Sequence, residues 1–199
     1  MKPLALLNRK PIARALHLKT WGKPLFEIMP VRSPGVDIAK FRLAYIPTIK
    51  KAIDEGRLDT IPGDNLQAID DLLSMDKKVM LLTSREHAEL KHMLEPDHDL
   101  ANRVTAFYYR DNMDFHKPDP RAFQKLITDN DLKPSEAVYV GDSVSDAAAA
   151  KGAGLHFIAS LESGLRTRQD FKKYPVDAFI EKFPQIVGVV KRLERPVIQ

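Results

Sequence analysis

From residue 64 onward, short apolar runs alternate with stretches of helical periodicity, and this alternation restricts the fold more than any other feature of the chain. Helices are predicted over 64–75, 86–94, 120–129 and 146–152, with a further one near 167–173 and a last one from Pro184. Between them lie predicted strands at 79–82 (Val-Met-Leu-Leu), 104–108, 137–140, 155–158 and 178–180. The tail 191–199 reads as a fraying helix end. Strands separated by helices pack as a parallel sheet covered on both faces, a three-layer α/β arrangement. In such sheets ligands sit beyond the carboxyl ends of the strands, so the residues with chemistry should come just after each apolar run.

The first 60 residues have a different texture. Residues 4–18 suggest a helix marked by Leu4, Leu7, Ala15 and Leu18 and interrupted by Pro11. Residues 19–36 read as loop, because Gly22, Pro24, Pro30, Pro34 and Gly35 act as breakers. A helical pattern returns over 36–55, with Pro47 expected to kink or divide it and Gly56 to stop it. The expected organisation is a small, partial helical subdomain over 1–60 and an α/β core over 61–199, since 199 residues are too few for two full domains.

Composition removes several classes of function. There is no cysteine, which excludes disulfides and thiol chemistry and suits a reducing cytoplasm. No apolar run approaches the ~20 residues that span a bilayer, so no membrane partner is expected. The net charge of +4 is spread along the chain and mixed with acids, which argues against a nucleic-acid face. The six histidines show no metal-ligand spacing.

Three strand ends carry chemistry. The first is Thr83-Ser84-Arg85, where a hydroxyl and free backbone N–H groups can meet an anion; the plainer alternative is a cap for helix 86–94. Next is Lys117 in His116-Lys117-Pro118-Asp119-Pro120, held by prolines where its ammonium could neutralise a phosphate or carboxylate; otherwise it is a surface lysine in a turn. The last is Gly141-Asp142-Ser143-Val144-Ser145-Asp146. Asp142 is delivered at a strand tip and Asp146 returns to the same side one helical turn later, and two hard carboxylates suit magnesium. The competing expectation is that both aspartates cap helix 146–152.

In order and spacing these segments resemble three of the four signature motifs of the haloacid dehalogenase superfamily, and within it the phosphoglycolate phosphatase and β-phosphoglucomutase group. The likeness is strong over 60–181 and extends to 4–56 only as a plausible cap. It implies a Rossmann-like parallel sheet with a small α-helical cap, and a Mg2+-dependent phosphatase acting on a small phosphorylated metabolite. It further implies that Thr83 and the Ser84 N–H bind the phosphoryl group, that Lys117 holds phosphate and nucleophile together, and that Asp142 ligates Mg2+ with Asp146 helping directly or through water.

The family's first signature, an Asp-X-Asp at the tip of a central strand, has no counterpart before the cap, where the first acid is Glu27 and the first aspartate Asp37. Asp97/Asp99, Asp111/Asp114 and Asp129/Asp131 read as loop residues. The sheet is therefore expected to lack its central first strand, the chain to be truncated, and the phosphatase to be inactive as it stands. The alternatives are a catalytically dead module that binds a phosphorylated ligand or a protein, and a phosphosugar mutase of the same superfamily. Trp21 is expected to pack beneath the cap or to line the substrate pocket. Arg85, Arg42 and Lys50 are weaker candidates for contact with an anionic substrate.

Overall fold

Short contiguous runs of branched, aromatic and other apolar side chains form the predicted strands. A computed structural model describes residues 3–194. Strands β1 (Met80–Leu82) and β2 (Ala106–Tyr108) pair in parallel, with Leu81 opposite Phe107. Strands β3 (Val138–Gly141), β4 (His156–Ser160) and β5 (Ala178–Ile180) form a second parallel ladder in that order, with Tyr139 opposite Phe157 and Ala159 opposite Phe179.

The N-terminal part holds helices α1 (Pro3–Leu6), α2 (Arg14–Lys19), α3 (Leu25–Arg32) and α4 (Ile38–Asp54). The expectation of a loop over 19–36 is corrected by α3. Phe26, Ile28 and Met29 are buried there, and Leu4, Phe26, Met29 and Phe41 form a core of their own. That burial outweighs the backbone bond lost at Pro30, which lies inside the helix. Helix α4 also runs through Pro47 undivided, and Asp37 caps it by accepting from the Lys40 N–H at 3.0 Å.

In the rest of the chain α5 (Gly63–Ser74), α6 (His87–Leu90), α7 (Gln124–Asp129), α8 (Val144–Gly152) and α9 (Ile186–Leu193) flank the strands. The predicted tail beyond 194 lies outside the described residues. Strand alternation sends Phe157 and Ala159 into a core with Phe123, Leu126, Ala147 and Ala150. It sends Ile158 to the opposite face, against Ala68, Leu72, Ile186 and Val189 from α5 and α9. Both faces of the sheet are thus covered, and the three-layer α/β fold read from the sequence is borne out.

The sheet is divided where the resemblance places a central strand. Among the described residues, β1 pairs only with β2, β3 pairs only with β4, and no ladder joins β1 to β3. Burial shows the same division: the middle three residues of β4 are fully buried, whereas all four residues of β3 are half-buried.

Candidate active site

The tips of β1 and β3, together with the turn that carries Lys117, converge through one half-buried tyrosine. Tyr139 sits mid-strand in β3, its ring edge-on to Phe123 at 4.8 Å. Its hydroxyl accepts from Lys117 Nζ at 2.7 Å and donates to the Leu82 carbonyl at 3.1 Å, at the end of β1. Burial pushes the Tyr139 hydroxyl up to about 12, against the pull of Lys117, so it stays a neutral donor. The residue that joins the two parts of the sheet was legible only as one apolar position in Val-Tyr-Val. A hydroxyl-bearing aromatic in a strand otherwise made of valines was the signal available.

Lys117 also lies 2.7 Å from Asp146 Oδ1, and both side chains are nearly enclosed. Burial works against the ammonium, but Tyr139 and Asp146 outweigh it and hold Lys117 above its ordinary value. An ammonium has three donors, so one is left beyond these two contacts.

Asp146 Oδ2 accepts from the Ser143 N–H at 2.9 Å and from Ser143 Oγ at 2.7 Å. Ser143 is the N-cap of α8 and Asp146 its third residue, a reciprocal capping box. Gly141 makes room for this turn, because a Cβ there would stand 2.5 Å from the Asp146 Cβ.

Asp142 is half-buried, and its Oδ2 accepts from Trp21 Nε1 at 3.0 Å. Burial raises the Asp142 carboxyl above its usual range; the Trp21 N–H pulls it down, and Asp146 adds to the rise. Gly22, with φ +83°, lets the Trp21 segment press against this loop, where a Cβ would come within 2.7 Å of Ser143.

Thr83 continues the β1–β2 pairing through its N–H to the Tyr108 carbonyl at 2.8 Å. Its Oγ1 accepts from the Arg85 N–H at 3.2 Å, which leaves the hydroxyl proton able to donate. Thr83 and Ser84 are both half-buried.

The weaker candidates are engaged elsewhere. Arg85 binds Asp59 Oδ2 at 2.7 Å and the Glu89 carbonyl, Arg42 pairs with Glu86, and Lys50 pairs with Asp54 on the exposed face of α4.

Magnesium takes oxygen ligands and binds through one or two carboxylates while keeping several waters. Asp142 fits that demand as a single ligand, whereas both oxygens of Asp146 are committed to Lys117 and Ser143. Among the described residues, no three His, Asp or Glu side chains gather closely enough to hold a metal by themselves. Among the same residues, no helix is long and apolar enough to cross a membrane.

The profile of the haloacid dehalogenase-like hydrolases matches residues 11–160. The chain is 28% identical over 111 residues to the phosphoglycolate phosphatase of Photobacterium profundum, covering 56% of this chain and 48% of that one. It is 26% identical over 169 residues to the phosphoglycolate phosphatase of Xylella fastidiosa, covering 84% of this chain and 72% of that one. The chain thus spans about half of the first relative's length. In fold it is similar to a haloacid dehalogenase-like hydrolase of Bacteroides fragilis, with a TM-score of 0.74, 24% identity, and 92% and 87% of the two chains covered. The profile match takes in α2 to α4, the tip of β1, the Lys117 turn and the Asp142 loop, and on that extent the chain belongs to the haloacid dehalogenase-like hydrolase family.

Proposed function

We propose that these residues form the phosphate-binding part of a phosphomonoesterase whose substrate is a small phosphorylated metabolite of the phosphoglycolate class. The observation that carries this reading is the enclosed Lys117 ammonium, joined through Tyr139 to the tip of β1 and lying beside the Asp142 loop. Positioning and charge stabilisation do most of the work in phosphoryl transfer, and this arrangement supplies both. Thr83 Oγ1 and the Ser84 N–H would donate to the phosphoryl oxygens, and Lys117 would neutralise their charge. Asp142 would hold Mg2+ together with water and phosphate oxygens, and Asp146 would fix Lys117 and the α8 turn. The metal would supply Lewis-acid stabilisation of phosphoryl charge. A cysteine-free chain of this kind suits the cytoplasm.

The attacking carboxylate is the part that the described residues do not offer. Asp111, three residues beyond β2, accepts from the His87 N–H, and Asp129 binds Lys125 and the Tyr108 hydroxyl, so neither pairs with Lys117. We therefore read the active form as one in which a further strand with an Asp-X-Asp tip fills the sheet between β1 and β3. Residues 1–199 alone would then bind a phosphomonoester without turning it over. The reading of a non-catalytic phospholigand module rests on the same observation, and a phosphosugar mutase would need the same missing group.

The test is hydrolysis of p-nitrophenyl phosphate by the purified 1–199 chain with 5 mM MgCl2, about the concentration that fills a weak carboxylate site. The expected result is no release above a protein-free blank. Magnesium-dependent turnover that Asp142→Asn abolishes would show that the chain has its own nucleophile.

A further inference from the structure

Next to the Asp142 loop lies a cavity of about 330 Å³ lined by Lys19, Lys23, Arg166, Trp21, Ser145 and Tyr174, among others. Three of its lining side chains are cationic and none is acidic. Lys19 and Lys23 are exposed and have no carboxylate partner among the described residues. Arg166 is largely enclosed: it donates to the Leu18 carbonyl at 2.8 Å, and one of its nitrogens lies 3.9 Å from Asp170 Oδ1. Its Nε is buried and has no acceptor among the described residues. Asp170, 3.9 Å away, meets the guanidinium charge only loosely, and an anion in the cavity would meet it more closely.

The cavity shares walls with the phosphate site. Trp21 lines it and donates to Asp142 at 3.0 Å. Pro118, which follows Lys117, lines it as well, and Ser145 Oγ lies 2.8 Å from Ser143 Oγ. A group held here would therefore be the far end of a molecule whose phosphoryl group meets Lys117 and Asp142.

We propose that Lys19, Lys23 and Arg166 bind the second, non-reacting anionic group, a carboxylate or a phosphate, of a two-ended phosphomonoester. This rests on the phosphate reading of the Lys117 site and adds the specificity that site lacks. A phosphoryl cradle accepts any phosphomonoester, whereas a second cationic pocket selects those with an acid at the other end.

Trp21 is the only tryptophan of the chain and lines the cavity, so its emission reports occupancy. The full 1–199 chain is titrated with 2-phosphoglycolate, which has an acid at each end, and with phenyl phosphate, which has one. The wild type should bind phosphoglycolate more tightly and change Trp21 emission on saturation. In the double variant Lys19→Gln/Lys23→Gln, which alters only exposed side chains, phosphoglycolate affinity should fall about tenfold or more, the scale of lost charge-assisted bonds. Phenyl phosphate affinity should stay within about twofold, too small a change for a lost bond of that kind. Equal affinity for the two ligands in the wild type would overturn the proposal and leave the phosphate reading intact. So would a double variant that weakens both alike, or neither. A wild type that binds neither ligand would overturn both.

Discussion

Lys117 Nζ and Asp146 Oδ1 stand 2.7 Å apart in side chains that are 8% and 7% exposed, one contributed by a proline-bound turn and the other by the first turn of α8. The pair locks the Lys117 turn to β3 and α8, and Tyr139 extends the lock to β1. Removing one partner leaves a charge buried alone, which costs more than the pair contributes. Lys117→Met should therefore lower stability by about 3–5 kcal/mol in urea unfolding. Asp146→Asn on the Lys117→Met background should return part of that loss, because the stranded carboxylate is gone. A loss below about 1 kcal/mol in the single variant would mean that the pair is solvated in solution.

Gly141 tests the turn itself. Its added Cβ would meet Asp146 at 2.5 Å, backed by the capping box that fixes that side chain. Gly141→Ala should cost about 1–3 kcal/mol, the range for overpacking a close-fitted site. An unchanged urea midpoint would show that α8 can shift without penalty.

Glu89 gives a pH dependence with a definite sign. It is 4% exposed, accepts from the Tyr45 hydroxyl at 3.3 Å and from the Glu86 N–H at 2.9 Å, and burial raises it above the ordinary 4.5. A carboxyl raised on folding keeps its proton longer in the native state, so its contribution to stability falls as pH rises through that window. Glu89→Gln should therefore unfold at a higher temperature than the wild type at pH 8. The advantage should shrink as pH falls and vanish below the ordinary carboxylate value. A difference that is constant with pH, or of opposite sign, would contradict this.

What could be read from the sequence followed locality. All five strands were legible because each apolar run is short and bounded by turn residues, and β5 matches its predicted span. Helix α3 was not, because Pro24 and Pro30 signal a break and only the burial of Phe26 and Met29 against Phe41 reverses it. The spacing of Asp142 and Asp146 was visible, but α8 begins at Val144 and not at 146. That earlier start puts Asp146 in the capping position, where it turns to Ser143 and Lys117. The Trp21 contact with Asp142 spans 121 residues, and Lys19 and Lys23 lie 143 or more residues before Arg166, so no local pattern announced either. Long-range pairing of this kind is set by how α2 and the segment after it meet the loop between β3 and α8.

The central claim is that the tips bearing Thr83, Lys117 and Asp142 bind one phosphoryl group together with a cation. It is tested most directly by measuring phenyl phosphate binding calorimetrically with and without Mg2+, in wild type, Asp142→Asn and Thr83→Val. If anion and cation share the site, each must tighten the other. Magnesium should strengthen binding in the wild type, Asp142→Asn should remove that gain, and Thr83→Val should weaken binding under both conditions. Binding indifferent to magnesium and to both substitutions would contradict the account.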